Sequence, residues 1–209
     1  EKLYDTIPNF HNSILRTRAF SYAVKYGIPE RIKEAKKEIQ WVREHQSIFI
    51  KITRLSLPFR AVHNDAKIGN ILFDKSSGQA CAVIDWDTTM RGSVLSDFGD
   101  MVRTCCSPEP EDSLNPAAVR IRPEIFTALA QGYLQGLAGI ITPAERQSLW
   151  LGAKVMCLMI GIRFLTDHLN GDCYFAVHRP NHNLQRAENQ LRLYLDLLAQ
   201  QDQLQPLLK

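Results

Sequence analysis

The stretch that most constrains the fold runs from His63 to Asp87, HNDAKIGNILFDKSSGQACAVIDWD. Two short apolar runs, Ile71-Leu72-Phe73 and Ala80 to Ile84, flank the turn signal Asp74-Lys75-Ser76-Ser77-Gly78. That pattern predicts two strands joined by a glycine-containing hairpin. Polar residues stand at its mouths. His63-x-Asp65-x-x-x-x-Asn70 leads into the first strand, and Asp85 and Asp87 leave the second. A hairpin of this kind brings Asp65, Asn70 and Asp85 together at one end.

Two carboxylates and an amide gathered this way suit phosphoryl transfer from a nucleotide. One carboxylate orients and deprotonates an acceptor hydroxyl, while the amide oxygen and the second carboxylate hold Mg²⁺ against the phosphates. Mg²⁺ takes few hard oxygen ligands besides phosphate, and Asn70 and Asp85 supply that type. The alternative is an ordinary hairpin with polar ends, since H-x-D-x-x-x-x-N alone recurs by chance. Specificity comes from the strand–turn–strand that follows and the Ile-Asp-Trp-Asp ending fifteen residues after Asn70.

On these motifs the sequence resembles the aminoglycoside-phosphotransferase-like kinases, relatives of the protein kinases that phosphorylate small molecules. The resemblance implies ATP as donor, Asp65 as catalytic base, and Asn70 and Asp85 as magnesium ligands. Asp87 joins the metal group as a ligand or as a support of Asp85, and His63 supports the site structurally. A literal Asp97-Phe98-Gly99 looks like the protein-kinase metal motif, but it lies twenty-seven residues after Asn70 and no apolar strand delivers it. Asp97 instead opens an apparent helix, where a carboxylate caps free N–H groups or braces the catalytic loop. It is read as structural support.

The remaining chain reads as mainly helical. Asn12 or Ser13 caps a helix through about Tyr26, stopped by Gly27, and Pro29 starts a second through about His45. Ile48–Leu57 is ambiguous between helix and extended chain, and Phe59 to Val62 runs extended into the loop. Thr88 to Ser93 reads as a loop. The Asp97 helix reaches about Cys106, and further helices are expected at about 123–138, 143–167 and 183–200. The fold class is thus α+β, mainly α-helical: the C-terminal lobe of a protein-kinase-like fold with a small hairpin carrying the catalytic and metal residues. A complete kinase of this type also has an upstream β-rich lobe, with a loop over the nucleotide phosphates and a lysine contacting them. No Gly-rich strand–loop–strand precedes His63, so residues 1–209 are expected to form the helical catalytic lobe alone, with half of the nucleotide cleft outside this chain.

Composition excludes several partners. A net charge of +3 on 209 residues is too small to argue for nucleic acid or an anionic membrane, and no apolar stretch reads as a bilayer span. The five cysteines are odd in number and lack a C-x-x-C pair, which fits reduced thiols in a cytoplasmic protein. His178 and His182 are spaced i,i+4, but Pro180 lies between them and a loop is the reading adopted.

The acceptor is addressed by a second stretch, Arg163-Phe164-Leu165-Thr166-Asp167-His168-Leu169-Asn170-Gly171-Asp172-Cys173-Tyr174-Phe175. Charges at the end of an apolar helix need partners, so one reading is an Arg163–Asp167 pair at i,i+4. The other is a polar pocket in which Arg163, Asp167 and His168 bind substrate and the Tyr174 ring stacks on it. This stretch is similar to that of the N-acetylhexosamine 1-kinases, as are Ile7-Pro8-Asn9-Phe10-His11-Asn12 and Asp97-Phe98-Gly99-Asp100-x-x-Arg103. The similarity implies Arg163 and Tyr174 on the sugar and a sugar 1-phosphate as product. Kinases of choline, aminoglycosides or methylthioribose, and a non-catalytic binding module, are the rival readings; Arg163 disfavours a cationic acceptor. A sulfatase is rejected, because Cys106-Ser107-Pro108-Glu109-Pro110 has proline where that chemistry requires arginine.

Overall fold

The computed structural model describes residues 3–209. Its helices and strands in chain order are α1 (Ser13–Tyr26), α2 (Pro29–Glu34), α3 (Lys36–His45), α4 (Ile48–Thr53), β1 (Arg60–Val62), β2 (Ile71–Phe73), β3 (Ala80–Val83), β4 (Met90–Gly92), α5 (Val94–Cys105), α6 (Pro123–Gly136), α7 (Pro143–Asn170), α8 (His182–Ala199) and α9 (Gln201–Leu204). The architecture is mainly helical with two small two-stranded sheets, as expected of a kinase-like lobe.

α7 is the axis of the molecule. Its first turn closes a capping box between Thr142 and Glu145 with Pro143 at the first helical position, and it ends at Gly171, whose φ of 99° only glycine adopts readily. Apolar on nearly all sides, it is surrounded by α1, α5 and α8. It is also long and apolar enough by composition to cross a bilayer, contrary to expectation, but 78% of that window is buried inside this molecule. Core packing accounts for its apolarity.

α5 approaches α7 backbone to backbone. A Cβ on Gly99 would fall 2.6 Å from the Gly152 carbonyl oxygen, so Gly99 of the Asp-Phe-Gly triplet serves helix packing. Phe98 beside it is fully buried against Phe126 and Tyr133.

Two local expectations are corrected and one ambiguity is resolved. The helix expected to run from Pro29 breaks at Ala35, which leaves helical geometry at φ −88°, ψ 19° and is fully buried. No glycine or proline marks the break; the small side chain seats it against the core. Ile48–Leu57 resolves into the short α4 followed by extended chain. Thr88–Ser93 is not simply a loop, because Met90–Gly92 pairs antiparallel with β1 in the register Val62↔Met90 and Ala61↔Arg91. That pairing fixes the start of the catalytic loop. The β2–β3 hairpin forms as expected, with an irregularity between Leu72 and Phe73, and its turn is held by Asp74 Oδ1 accepting from the Ser76 and Ser77 backbone N–H groups.

Candidate active site

The segment from β1 to β2 is shaped by hydrogen bonds to its backbone. The His63 and Asn64 N–H groups donate to Asp97 Oδ2 and Oδ1 at 2.9 and 2.7 Å. Burial raises the Asp97 pKa, and these two donors oppose it. Asp97 therefore sits in the first turn of α5 under the loop, away from the hairpin mouth, with Ser93 as the helix N-cap. His63 Nε2 donates to the Ile84 carbonyl at 3.0 Å, and Thr88 Oγ1 donates to the His63 carbonyl at 2.7 Å. These contacts tie the loop to the exit of β3.

The hairpin brings three of the sequence-selected residues together. Asn70 Nδ2 donates to the Asp65 carbonyl at 2.8 Å and to Asp65 Oδ2 at 3.1 Å, which leaves its amide oxygen for another partner. The Ile84 N–H donates to the Asn70 carbonyl at 2.9 Å, placing the next residue, Asp85, beside this group. Asp85 adopts φ 65°, ψ 55°, a left-handed conformation that Asp tolerates better than most residues and that turns the chain into Trp86–Thr88. Asp87 lies exposed in that turn.

Lys67 was missed by sequence reading. Its ammonium lies 2.6 Å from Asp65 Oδ2 and 4.0 Å from Asp85 Oδ2, so a positive charge already stands between the two carboxylates. Its position two residues after Asp65 was the available signal. The oxygens of Asn70, Asp85 and Asp65 fit a hard divalent cation that takes its remaining ligands from phosphate. Among the described residues no group of three or more His, Cys, Asp or Glu side chains converges, so such a cation depends on the phosphate oxygens as well.

A cavity of 310 Å³ extends from this point. Asp65, Lys67, Arg163, Tyr174 and Phe175 all border it. His11 borders it too. Its Nε2 donates to the Asn64 carbonyl at 2.9 Å, and burial lowers its pKa to about 4, so the ring is neutral near pH 7. Sequence reading had named His11 only within the Ile7–Asn12 segment and given it no role. Arg103 borders the cavity as well, in a buried ion pair with Asp100 at 2.5 Å and a second with Glu111.

Two expected substrate residues are placed otherwise. Asp167 does not pair with Arg163. Its carboxylate accepts from the backbone N–H groups of Cys173, Tyr174 and Phe175 at 2.8–3.0 Å and from Asn183 Nδ2, so it fixes the loop that carries Tyr174. His168 is fully buried on the opposite face of α7, 3.9 Å from Glu34 and beneath Arg31, and it borders no part of the cavity. The three-residue stagger between Arg163 and Thr166 keeps those two on one face, whereas residue 168 turns towards α2. Arg163 stacks near the rings of Phe10, Phe175 and Tyr174 at 5.1, 5.4 and 5.9 Å.

A family model described as "Phosphotransferase enzyme family" (APH) matches residues 3–145. The match spans α1 to the first turn of α7, including the whole Asp65–Asp97 arrangement, and stops before Arg163 and Tyr174. It implies ATP-dependent phosphoryl transfer to a small molecule, with use of a divalent metal in general. With more than half of its length matched, the chain belongs to the phosphotransferase enzyme family.

Proposed function

We propose that this chain is the acceptor-side lobe of an ATP- and Mg²⁺-dependent kinase that phosphorylates an N-acetylhexosamine at C1. The observation that carries the reading is that one cavity is bordered both by Asp65 and Lys67 and by Arg163 and Tyr174. Asp65 receives the proton of the anomeric hydroxyl as its oxygen attacks the γ-phosphorus and the bond to the leaving ADP breaks. Lys67 offsets negative charge between Asp65 and Asp85. Asn70 and Asp85, with Asp87 nearby, would hold Mg²⁺, which supplies charge neutralisation on the phosphates. Arg163 donates to sugar hydroxyls or the N-acetyl carbonyl, and Tyr174 offers a flat face and a hydroxyl.

Residues 1–209 are proposed to work with a β-rich lobe that covers the nucleotide. Supporting this, the β2–β3 hairpin and the turn after it expose Leu72, Phe73, Val83, Ile84 and Trp86 on the two faces of the ribbon beside Asp85. Apolar side chains exposed at the nucleotide side of such a site suit burial against another surface. A kinase of choline or an aminoglycoside fits less well, because Arg163 lines the cavity with no acidic partner and repels a cationic acceptor, whereas Lys67 and Arg103 are balanced by Asp65, Asp100 and Glu111.

The test is kcat/KM for N-acetylglucosamine, N-acetylgalactosamine, glucose, choline and kanamycin with the full-length protein, wild type and Arg163→Ala. N-acetyl sugars are expected to lead, with Arg163→Ala raising their KM far more than that of ATP. An unmatched buried donor costs about 1–3 kcal/mol, which sets the penalty expected for sugars lacking the matching groups. An amino alcohol or aminoglycoside outperforming them would overturn the sugar assignment.

A further inference from the structure

Arg16 on α1 and Arg163 on α7 border one small recess of 130 Å³, together with Thr166, Asn170, Tyr174 and Phe175. Arg163, Tyr174 and Phe175 line the larger cavity as well. Among the described residues the ion pairs of arginine involve Arg31, Arg60, Arg103, Arg179 and Arg192, and neither Arg16 nor Arg163.

Every unsatisfied group at this recess is a donor or a cation. Arg16 gives one nitrogen to the Phe10 carbonyl at 3.0 Å, while its Nε is buried with no partner. The Thr166 hydroxyl is likewise buried with no partner. The one acid at the recess, Asp167, has its carboxylate filled by three backbone N–H groups and Asn183. Burial lowers the Arg163 pKa, and the Arg16 charge lowers it further. Aromatic faces around Arg163 tolerate a cation but carry no net charge to balance two. Two neighbouring, half-buried guanidinium groups without an anion repel each other, and the Tyr174 hydroxyl beside Arg163 offers an acceptor but no charge. An oxyanion supplies both the charge and the acceptors, in the geometry guanidinium groups match best.

We propose that this recess binds a small oxyanion (phosphate, sulfate or carboxylate) between the Arg16 and Arg163 guanidinium groups and the Thr166 hydroxyl. The ion is either free in solution or a substituent of the acceptor reaching past the shared residues Arg163, Tyr174 and Phe175. The site stands whether or not the acceptor is an N-acetyl sugar.

Sodium sulfate is titrated calorimetrically into the full-length protein at constant ionic strength set with sodium chloride, for wild type, Arg16→Gln and Thr166→Val. Saturable binding is expected in wild type, weakened at least about tenfold, or 1.4 kcal/mol, in Arg16→Gln. Thr166→Val, which keeps the shape of the side chain, is expected to weaken it measurably and decides the matter if circular dichroism shows Arg16→Gln misfolded. No saturable heat beyond the chloride control, or variants that bind as wild type does, would overturn the site. Turnover of glucuronate against glucose then separates the sources. A preference for the acidic sugar that Arg16→Gln abolishes identifies a substituent, and sulfate binding without any such preference identifies a free ion.

Discussion

Arg60 and Glu145 meet in a two-pronged ion pair, Nε to Oε1 at 2.7 Å and Nη2 to Oε2 at 2.8 Å, that joins β1 to the first turn of α7. The Glu145 carboxylate also accepts from Thr142 N and Oγ1, so one buried side chain anchors both the helix cap and the strand leading to the catalytic loop. The Arg60 hydrogen bond first, and those from Thr142, hold its pKa down to about 2 against the opposing effect of desolvation.

Because that pKa is depressed, the stabilisation is complete above the ordinary glutamate value of about 4.3 and is lost as pH falls towards 2. Urea midpoints measured from pH 6 down to pH 2 are expected to decline through this window. Glu145→Gln should start lower at neutral pH and show a shallower decline. Parallel curves for the two proteins would show that Glu145 contributes nothing to acid sensitivity.

Asp65→Asn in the full-length protein is expected to lower kcat by at least about 10²-fold, the scale of losing a positioned proton acceptor. Substrate KM values should change little. Near-normal turnover would remove Asp65 from that role.

Asp85 and Asp97 should separate cleanly. Asp85→Ala is expected to abolish metal-dependent transfer while leaving the unfolding midpoint nearly unchanged. Asp97→Ala strips the acceptor from two N–H groups of the loop, each costing about 1–3 kcal/mol when buried and unpaired, so its main effect should be on stability. Chemical denaturation and Mg²⁺ titration of activity read the two effects, and the opposite pattern would exchange the assignments.

Asp167→Ala should act on stability and acceptor binding together. Three backbone donors of the Cys173–Phe175 segment lose their shared acceptor, at a cost of at least about 2 kcal/mol, and Tyr174 loses its anchor. The acceptor KM is expected to rise with the ATP KM unchanged. A rise in both would place Asp167 elsewhere in the machinery.

Elements with strong local signals were legible in the sequence. The hairpin announced itself through two apolar runs around Asp74–Gly78, α1 through its cap, and α7 and α8 through their apolar residues. What escaped depends on partners distant in the chain. Met90–Gly92 lacks alternation and becomes a strand only because β1 lies beside it. Asp167 looked like a partner for Arg163, since i,i+4 spacing says which residues can meet but not that three nearby N–H groups compete for the same carboxylate. His11 is 53 residues from the carbonyl it holds. Lys67 was the readable omission, because its distance from Asp65 is local.

The β2–β3 hairpin leaves its strand residues exposed or half-exposed on both faces, and Asp85 follows directly from it. A two-stranded ribbon unsupported on either side is marginal in water. The helical body and the edge bearing Asp85 therefore answer to different pressures. Changes among Leu72, Ala80, Ala82 and Val83 can drift without registering in a melting curve, yet each alters how long Asp85 stays in place. Global robustness and readiness of the site are then separately tunable, and a screen that selects only for heat resistance would be blind to the ribbon.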